Sequence, residues 1–191
     1  MISLTCGISS FSACMHSVFQ TNQIRLLQQL AVVEKASFLR LEEGRNPFLP
    51  VIPTDCSDIF NQMRAVNHGK LLGRVHLTQL LIEDMVPTPS EPYYIFDVED
   101  GENILGFAPE EAAKFLEDSG RRGLNVCEVI ALALHTDVLS RHNVDAIACR
   151  YNRDAVPMVC LTYGAHPAPA LYYRSLVSGA PMWGAASCQI G

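Results

Sequence analysis

From Asn22 onward, apolar residues recur at helical spacing, at Ile24, Leu27, Leu30, Ala31 and Phe38, and Gly44 with Pro47 closes the stretch. The pattern predicts a first long helix. Phe48 to Ile52 reads as a short edge strand, a setting that tolerates Pro50 within it and Pro53 after it. Thr54 or Asp55 would cap a second helix whose buried stripe is Ile59, Met63 and Val66, with Asn67-His68-Gly69 as its stop. A shorter helix would carry Leu77, Leu80, Leu81 and Met85. The proline-rich stretch Val86 to Pro92 breaks every period and reads as a connector, the place where a seam at 86–92 would fall.

In the second half, Tyr93 to Val98 has β-propensity on both faces. Asp100-Gly101 is a hairpin-turn dipeptide from which Ile104 to Phe107 can return antiparallel. A helix then begins with Pro109 at its first position and Glu110 and Glu111 in the first turn, where the helix dipole favours carboxylates, and Gly120 ends it. Asn125 opens another, with Glu128 as its capping-box partner and Val126, Val129, Ile130, Ala133 and Leu134 as the inward stripe. Asp145 to Arg150 and Val156 to Tyr163 read as strands joined by a polar turn, and a last strand runs through Trp183 to Cys188. Strands, then helices, then strands again predict an α+β fold with an antiparallel or mixed sheet packed with helices. The expected organisation is one compact domain, 1–191, with a helix-rich N-terminal half and a poorly defined segment at 1–21. Tyr163, Tyr172, Tyr173 and Trp183, interleaved with Pro167, Pro169 and Pro181, suggest an irregular C-terminal lobe that closes one end of the sheet or meets a partner.

Composition narrows the class. Of 191 residues, 49% are apolar and only 18% charged, which excludes global disorder. The long uncharged stretch from Ala155 to Tyr173 is broken by Pro157, Gly164, Pro167 and Pro169, so no membrane span is expected. The net charge is −6, and no basic cluster exceeds Arg121-Arg122, which argues against nucleic acid as a partner. Seven scattered cysteines include no C-x-x-C pair, so reduced core thiols are expected rather than a zinc or disulfide framework. With no basic residue in the first twenty positions, a secretory signal is a poor reading, and the expected location is cytoplasmic.

The order YYIFDVEDG, FAPEEAAKFLEDSGRRGLNVCEVIALALHTDVL, AIACR, VPMVCL and MWGAASC resembles an uncharacterised bacterial domain-of-unknown-function family over roughly Pro92 to Cys188. In that family a strand ending in an Asp-x-Asp-Gly-like turn precedes a Pro-Glu-Glu-Ala helix. This chain departs from the pattern around Ala170 to Met182, where the family is richer in tryptophan. The resemblance implies a fold and no assigned activity.

Charge distribution carries the candidate chemistry. Between Glu91 and Gly120 stand nine acidic residues and one basic residue, Lys114, leaving the rest of the chain with a small positive balance. Asp97, Glu99 and Asp100 form an acidic loop at the mouth of an apolar strand. Period-2 alternation places Asp97 and Glu99 on the face of Tyr93 and Ile95. Such a loop suits a general acid/base cluster or a divalent cation, the one cofactor the sequence suggests. Asp97 and His135 are the catalytic candidates, although His135 also suits a helix end. Asp97, Glu99 and Asp100 are the metal candidates, and Glu110, Glu111, Glu117 and Asp118 a partner surface. Asn125, Glu128, Arg150 and Trp183 are expected to be structural, with Arg150 as the counter-charge of Asp97. Two functions follow: a soluble intracellular binding or adaptor module that meets an unidentified protein partner through its acidic face, or a hydrolase-like enzyme using the acidic loop. Oligomeric state is beyond the sequence.

Overall fold

The computed structural model describes residues 45–190, together with Ala31, Glu34 and Lys35, which are helical. Apart from those three positions the expected first helix lies outside the described residues, as does the segment 1–21. The chain divides into two compact units, 1–39 and 40–191, and the second holds every element named below.

The described part of the N-terminal half is strand-dominated, contrary to the expected helix-rich half. The edge strand β1 (Asn46–Val51) is followed by α1 (Ile59–Ala65), β2 (Asn67–His68), β3 (Leu71–Leu72), β4 (Arg74–Val75) and β5 (Ile82–Asp84). Helix α1 buries Ile59 and Met63 as its spacing requires, with Val66 just past its end. Its cap is Asp58, whose Oδ1 accepts the Asn61 N–H at 2.7 Å, rather than Thr54 or Asp55. The helix expected through Leu77 to Met85 is instead a single 3-10 turn, Gln79–Leu81, leading into β5. Leu80 is 93% exposed, so this stretch has no inward stripe to hold a helix down.

Strand β6 (Tyr93–Val98) pairs antiparallel with β1 in a separate two-stranded sheet. The expected hairpin return over Ile104–Phe107 does not form. Gly101, at φ +94°, passes against β12 (Trp183–Ala185), and a Cβ there would sit 2.6 Å from the Ala185 carbonyl carbon. The chain therefore continues as a 3-10 turn (Glu102–Ile104) instead of folding back on β6.

Helix α2 (Pro109–Asp118) begins at Pro109, and Gly120, at φ +69°, lies just beyond its end. Its inner face, Ala112 and Leu116, packs with Ile104, Ile147, Val156 and Ala185 in a satellite core. Helix α3 (Val126–His135) carries the expected reciprocal cap: Asn125 Oδ1 accepts the Glu128 N–H and Glu128 Oε2 accepts the Asn125 N–H, both at 2.9 Å. Such a cap contributes about 1 kcal/mol. The helix packs on β1, α1 and β10 (Ala155–Leu161), and its Val129 and Leu132 are fully buried in the main core. Each such side chain contributes about 1.5–3 kcal/mol.

The principal sheet is mixed and seven-stranded. Its path runs β12, β8 (Asn143–Asp145), β10, β11 (Pro169–Ser175), β4, with β9 (Cys149–Tyr151) and β5 joined at the side of β10. The strand expected over Asp145–Arg150 is split into β8 and β9, because Ile147 turns out of the sheet to join the satellite core under α2. The irregular C-terminal lobe is overturned by β11, seven residues paired along their whole length with β10. Its proline stands at the first position, where a missing donor costs least. Tyr172 of β11 stacks on His76 and Tyr173 on Tyr151, while Tyr163 in the loop is 94% exposed. The last expected strand is likewise two, β12 and β13 (Ser187–Gln189), and β13 pairs with β7 (Arg121–Gly123).

Candidate functional site

Asp97 ends the apolar run of β6 in a left-handed conformation, φ +50°, which an L-residue adopts at a cost of about 1–2 kcal/mol. Ile95 and Val98 are the fully buried positions at this end of the strand, and Asp97, partly exposed, sits with Glu99 against the same two arginines. Two guanidinium groups meet it there. Arg121 Nη1 donates to Asp97 Oδ2 at 2.6 Å, and Arg45 Nη1 lies 3.3 Å from both carboxylate oxygens. Both arginines also approach Glu99 Oε2 at 3.7 Å. Arg150 is not the counter-charge of Asp97. Its Nη1 donates to the carbonyls of Ile147 and Cys149 on its own segment.

Asp100 turns the other way. Its Oδ1 caps the Glu102 N–H at 3.0 Å, and its Oδ2 pairs with Arg141 Nη2 at 2.7 Å. His142 faces it with Nε2 3.9 Å from Oδ1, while His142 Nδ1–H donates to the Asn143 carbonyl at 3.0 Å. His142 Nε2 is buried and has no hydrogen-bond partner among the described residues. Burial works to raise the Asp100 carboxyl, but the facing His142 ring, the Glu102 amide and Arg141 outweigh it and hold it well below the usual carboxylate range. Burial works to lower the His142 imidazole, and the Asp100 carboxylate with the Asn143 carbonyl outweighs that and raises it. The three loop carboxylates thus each face arginine, and no group of three or more His, Cys, Asp or Glu side chains is placed to hold a metal ion among the described residues.

Two further interior pairs were not legible as a site. Adjacent residues of a strand point to opposite faces, so Arg122, next to Arg121, reaches Glu128 instead, with bidentate contacts of 2.7 Å. The Tyr93 hydroxyl donates to Glu128 at 3.0 Å, and Asn125 Nδ2 donates to Thr88 at 3.0 Å. Deeper in the sheet, Asp145 and Arg174, both nearly inaccessible, pair through two bonds of 2.8 and 2.6 Å. Arg174 also donates to the carbonyls of Ser178 and Phe107, and its guanidinium lies 4.3 Å over the ring of Trp183. Burial pushes the Asp145 carboxyl up against the pull of Arg174. Glu128 and Trp183, expected as structural residues, hold these two arginines.

The family of unknown function DUF5701 matches residues 11–164, most of the chain. The chain belongs to this family. No curated protein and no solved structure matches it. The extent differs from the likeness traced through motifs over Pro92 to Cys188. The DUF5701 match takes in most of the first ninety residues and stops before the Trp183 to Cys188 segment. Between those limits it includes the acidic loop, both arginines of β7 and all of α3.

On this DUF5701 chain, the other expected site residues lie apart from the acidic loop. His135 is exposed in the last turn of α3, on the rim of a mostly apolar cleft of about 400 Å³ lined by Ile52, Gln62, Ile130 and Leu134 among others. Glu110, Glu111, Glu117 and Asp118 all face solvent on α2, and Glu111 accepts the Ala108 N–H at 3.0 Å. None of the four is in an ion pair among the described residues. Beside them Phe107 and Phe115 form an edge-to-face pair, centroids 5.8 Å apart, and remain 38% and 47% exposed. The Glu110 N–H donates to the Leu176 carbonyl, which brings Val177, 71% exposed, to the same end of the helix. Sequence reasoning found the carboxylates and missed the aromatic pair, because Phe107 precedes the helix and the two meet only when Pro109 turns the chain. No helix among the described residues is long and apolar enough to cross a membrane.

Proposed function

We propose that this protein is a binding module that takes a basic, apolar segment of a partner protein on the face of α2. The observation that carries the reading is the exposed Phe107–Phe115 pair set among four carboxylates that no cation of the described chain engages. Aromatic side chains at the centre of a contact supply most of its energy, and a rim of one sign selects a partner of the other. Lysine and arginine side chains flanking an apolar anchor satisfy both. In this reading the protein works in solution inside the cell, in keeping with its acidic net charge and the free thiols of Cys127, Cys149, Cys160 and Cys188 in its core. Neither nucleic acid nor membrane is the partner.

The test is an NMR titration of the isotope-labelled full chain with a 16-residue amphipathic peptide of alternating lysine and leucine. Saturable shifts centred on residues 107–118, lost in Phe115→Ser and weakened in Glu117→Lys, Asp118→Lys, are expected. Shifts elsewhere, or the same shifts with a peptide in which glutamate replaces lysine, would overturn the reading.

A further inference from the structure

A second cavity, of about 350 Å³, opens beside β5 and the start of α3, lined by Thr54, Ile59, Gln79, Ile82, Asp84 and Cys127 among others. Its size falls in the range of small-ligand sites. Every residue lining it is neutral except Asp84, so the charge of the cavity is that of one carboxylate. Asp84, which is exposed to solvent, differs from every carboxylate of the interior networks described above. Asp97, Glu99, Asp100, Glu128 and Asp145 each have an arginine, whereas Asp84 forms no ion pair among the described residues.

What holds Asp84 is neutral. The buried Cys149 thiol donates to Oδ1 at 2.9 Å and the Thr88 hydroxyl donates to Oδ2 at 2.7 Å. Thr88 is in turn held by Asn125, the cap of α3, so the carboxylate is oriented from a rigid element. A carboxylate offers about four lone-pair directions, and two donors leave the others for a ligand. Ile59 and Ile82 provide apolar wall for a short hydrocarbon body.

The start of α3 also borders the cavity, and a helix N-terminus favours anions. Here two of its amides are already committed: Val126 N–H to Cys149 Sγ at 3.3 Å and Glu128 N–H to Asn125 Oδ1. An anion would in addition face Asp84 without a compensating cation. The opposite charge fits. We propose that this cavity binds a protonated alkylamine, with the Asp84 carboxylate as its counter-charge and the apolar wall taking its methylenes. The ammonium can come from a free small amine or from a lysine side chain, and the proposal uses none of the α2 residues.

The experiment is an NMR titration of the full chain with n-butylamine hydrochloride, N-acetyl-lysine methylamide, butyrate and n-butanol at one ionic strength. Saturable shifts of the Thr54, Ile59, Gln79 and Cys127 amides are expected with the two ammonium probes, and the tighter of the two identifies the source. Butyrate and butanol should bind at least about tenfold more weakly, the scale of a charge-assisted contact. Asp84→Asn should lose the ammonium preference while keeping the wild-type spectrum elsewhere. Equal shifts with butyrate, no saturable shift with either ammonium probe, or undiminished binding by a folded Asp84→Asn would each overturn the proposal. The butylammonium-to-butyrate comparison is made on the wild-type chain and stands whether or not that variant folds.

Discussion

The carboxylates at 97–102 and those at 110–118 stand about ten residues apart in one acidic stretch, yet the first group is folded into ion pairs and the second is left in water. Asp97, Glu99, Asp100 and Glu102 all face Arg45, Arg121 or Arg141. Glu110, Glu111, Glu117 and Asp118 face no arginine among the described residues. The backbone makes the difference. The strand and turn at 97–102 are packed between β1, β7, β12 and β13, so a side chain leaving them meets other chain segments. Helix α2 spends one face on Ala112 and Leu116 and must turn its carboxylates outward. A run of like charge is therefore two different objects, one paired with arginines and one facing water.

The sharpest way to break this comparison is to remove a charge where water is excluded. Asp145→Asn or Arg174→Met leaves the other partner buried and uncompensated, and each should lower unfolding free energy by about 3–5 kcal/mol in urea titrations. Replacing both together should recover part of that loss, with the Ser178 and Phe107 carbonyls still short of a donor. A loss below about 1 kcal/mol for either single change would show that the interior pair is hydrated, and the contrast with α2 would collapse.

The Asp100–His142 contact sharpens it through pH. Asp100 has a lowered folded pKa, so its contribution is present above the ordinary carboxyl value near 4 and is lost as pH falls through the folded value. His142 has a raised one, so its contribution is complete below about 6.5 and is lost as pH rises through the folded value. Both are whole between about pH 4 and 6.5. Asp145, pushed up by burial, works against Asp100 on the acid side. Urea midpoints from pH 4 to 9 should decline above 6.5 in the wild type and decline less in His142→Gln. Parallel curves would remove His142 from the account.

Asp97→Asn comes next. Arg45 and Arg121 both keep Glu99 in reach, so the loss should be about 1–2 kcal/mol, smaller than for a fully buried pair. Arg150→Met should stay within about 1 kcal/mol, because among the described residues Arg150 serves two nearby carbonyls and no carboxylate. Equal, large losses in the two would restore an Asp97–Arg150 pair that the geometry does not contain.

The elements read correctly from sequence were those whose signals are local. The Asn125–Glu128 cap, Pro109 at the head of α2, and the stripe Ile59, Met63 and Val66 each depend on neighbours within a few residues. The misread elements depend on distant chain. Ile104–Phe107 could not return as a strand because Gly101 and Gly184 are pressed together from 83 residues apart in sequence, and a Cβ on Gly184 would lie 2.4 Å from the Gly101 carbonyl oxygen. β11 hid behind its proline and its exposed Tyr173, since its first three positions, Pro169, Ala170 and Leu171, are all buried and leave little period-2 contrast. Of the site, the carboxylates were visible and their arginines were not. Arg45, Arg121 and Arg141 lie 52, 24 and 41 residues from their Asp partners, and no spacing rule links residues so far apart.

The smallest effect belongs to α2, and it must be small for the comparison to hold. Glu117→Gln with Asp118→Asn removes two exposed charges that pair with no cation among the described residues, so unfolding free energy should change by no more than about 0.5 kcal/mol. A slight gain is the expected sign, because both carboxylates stand at the C-terminal end of the helix, where the dipole disfavours negative charge. Glu111→Gln is the internal control on the same face. Its carboxylate accepts the Ala108 N–H, and the amide oxygen of glutamine keeps the acceptor while giving up the favourable first-turn charge, a loss of about 0.3–1 kcal/mol. If removing the two C-terminal charges destabilised the protein as much as removing Asp97, the α2 carboxylates would have to be engaged by the chain itself. The acidic face would then be one more set of internal ion pairs, with no free charge to offer a partner.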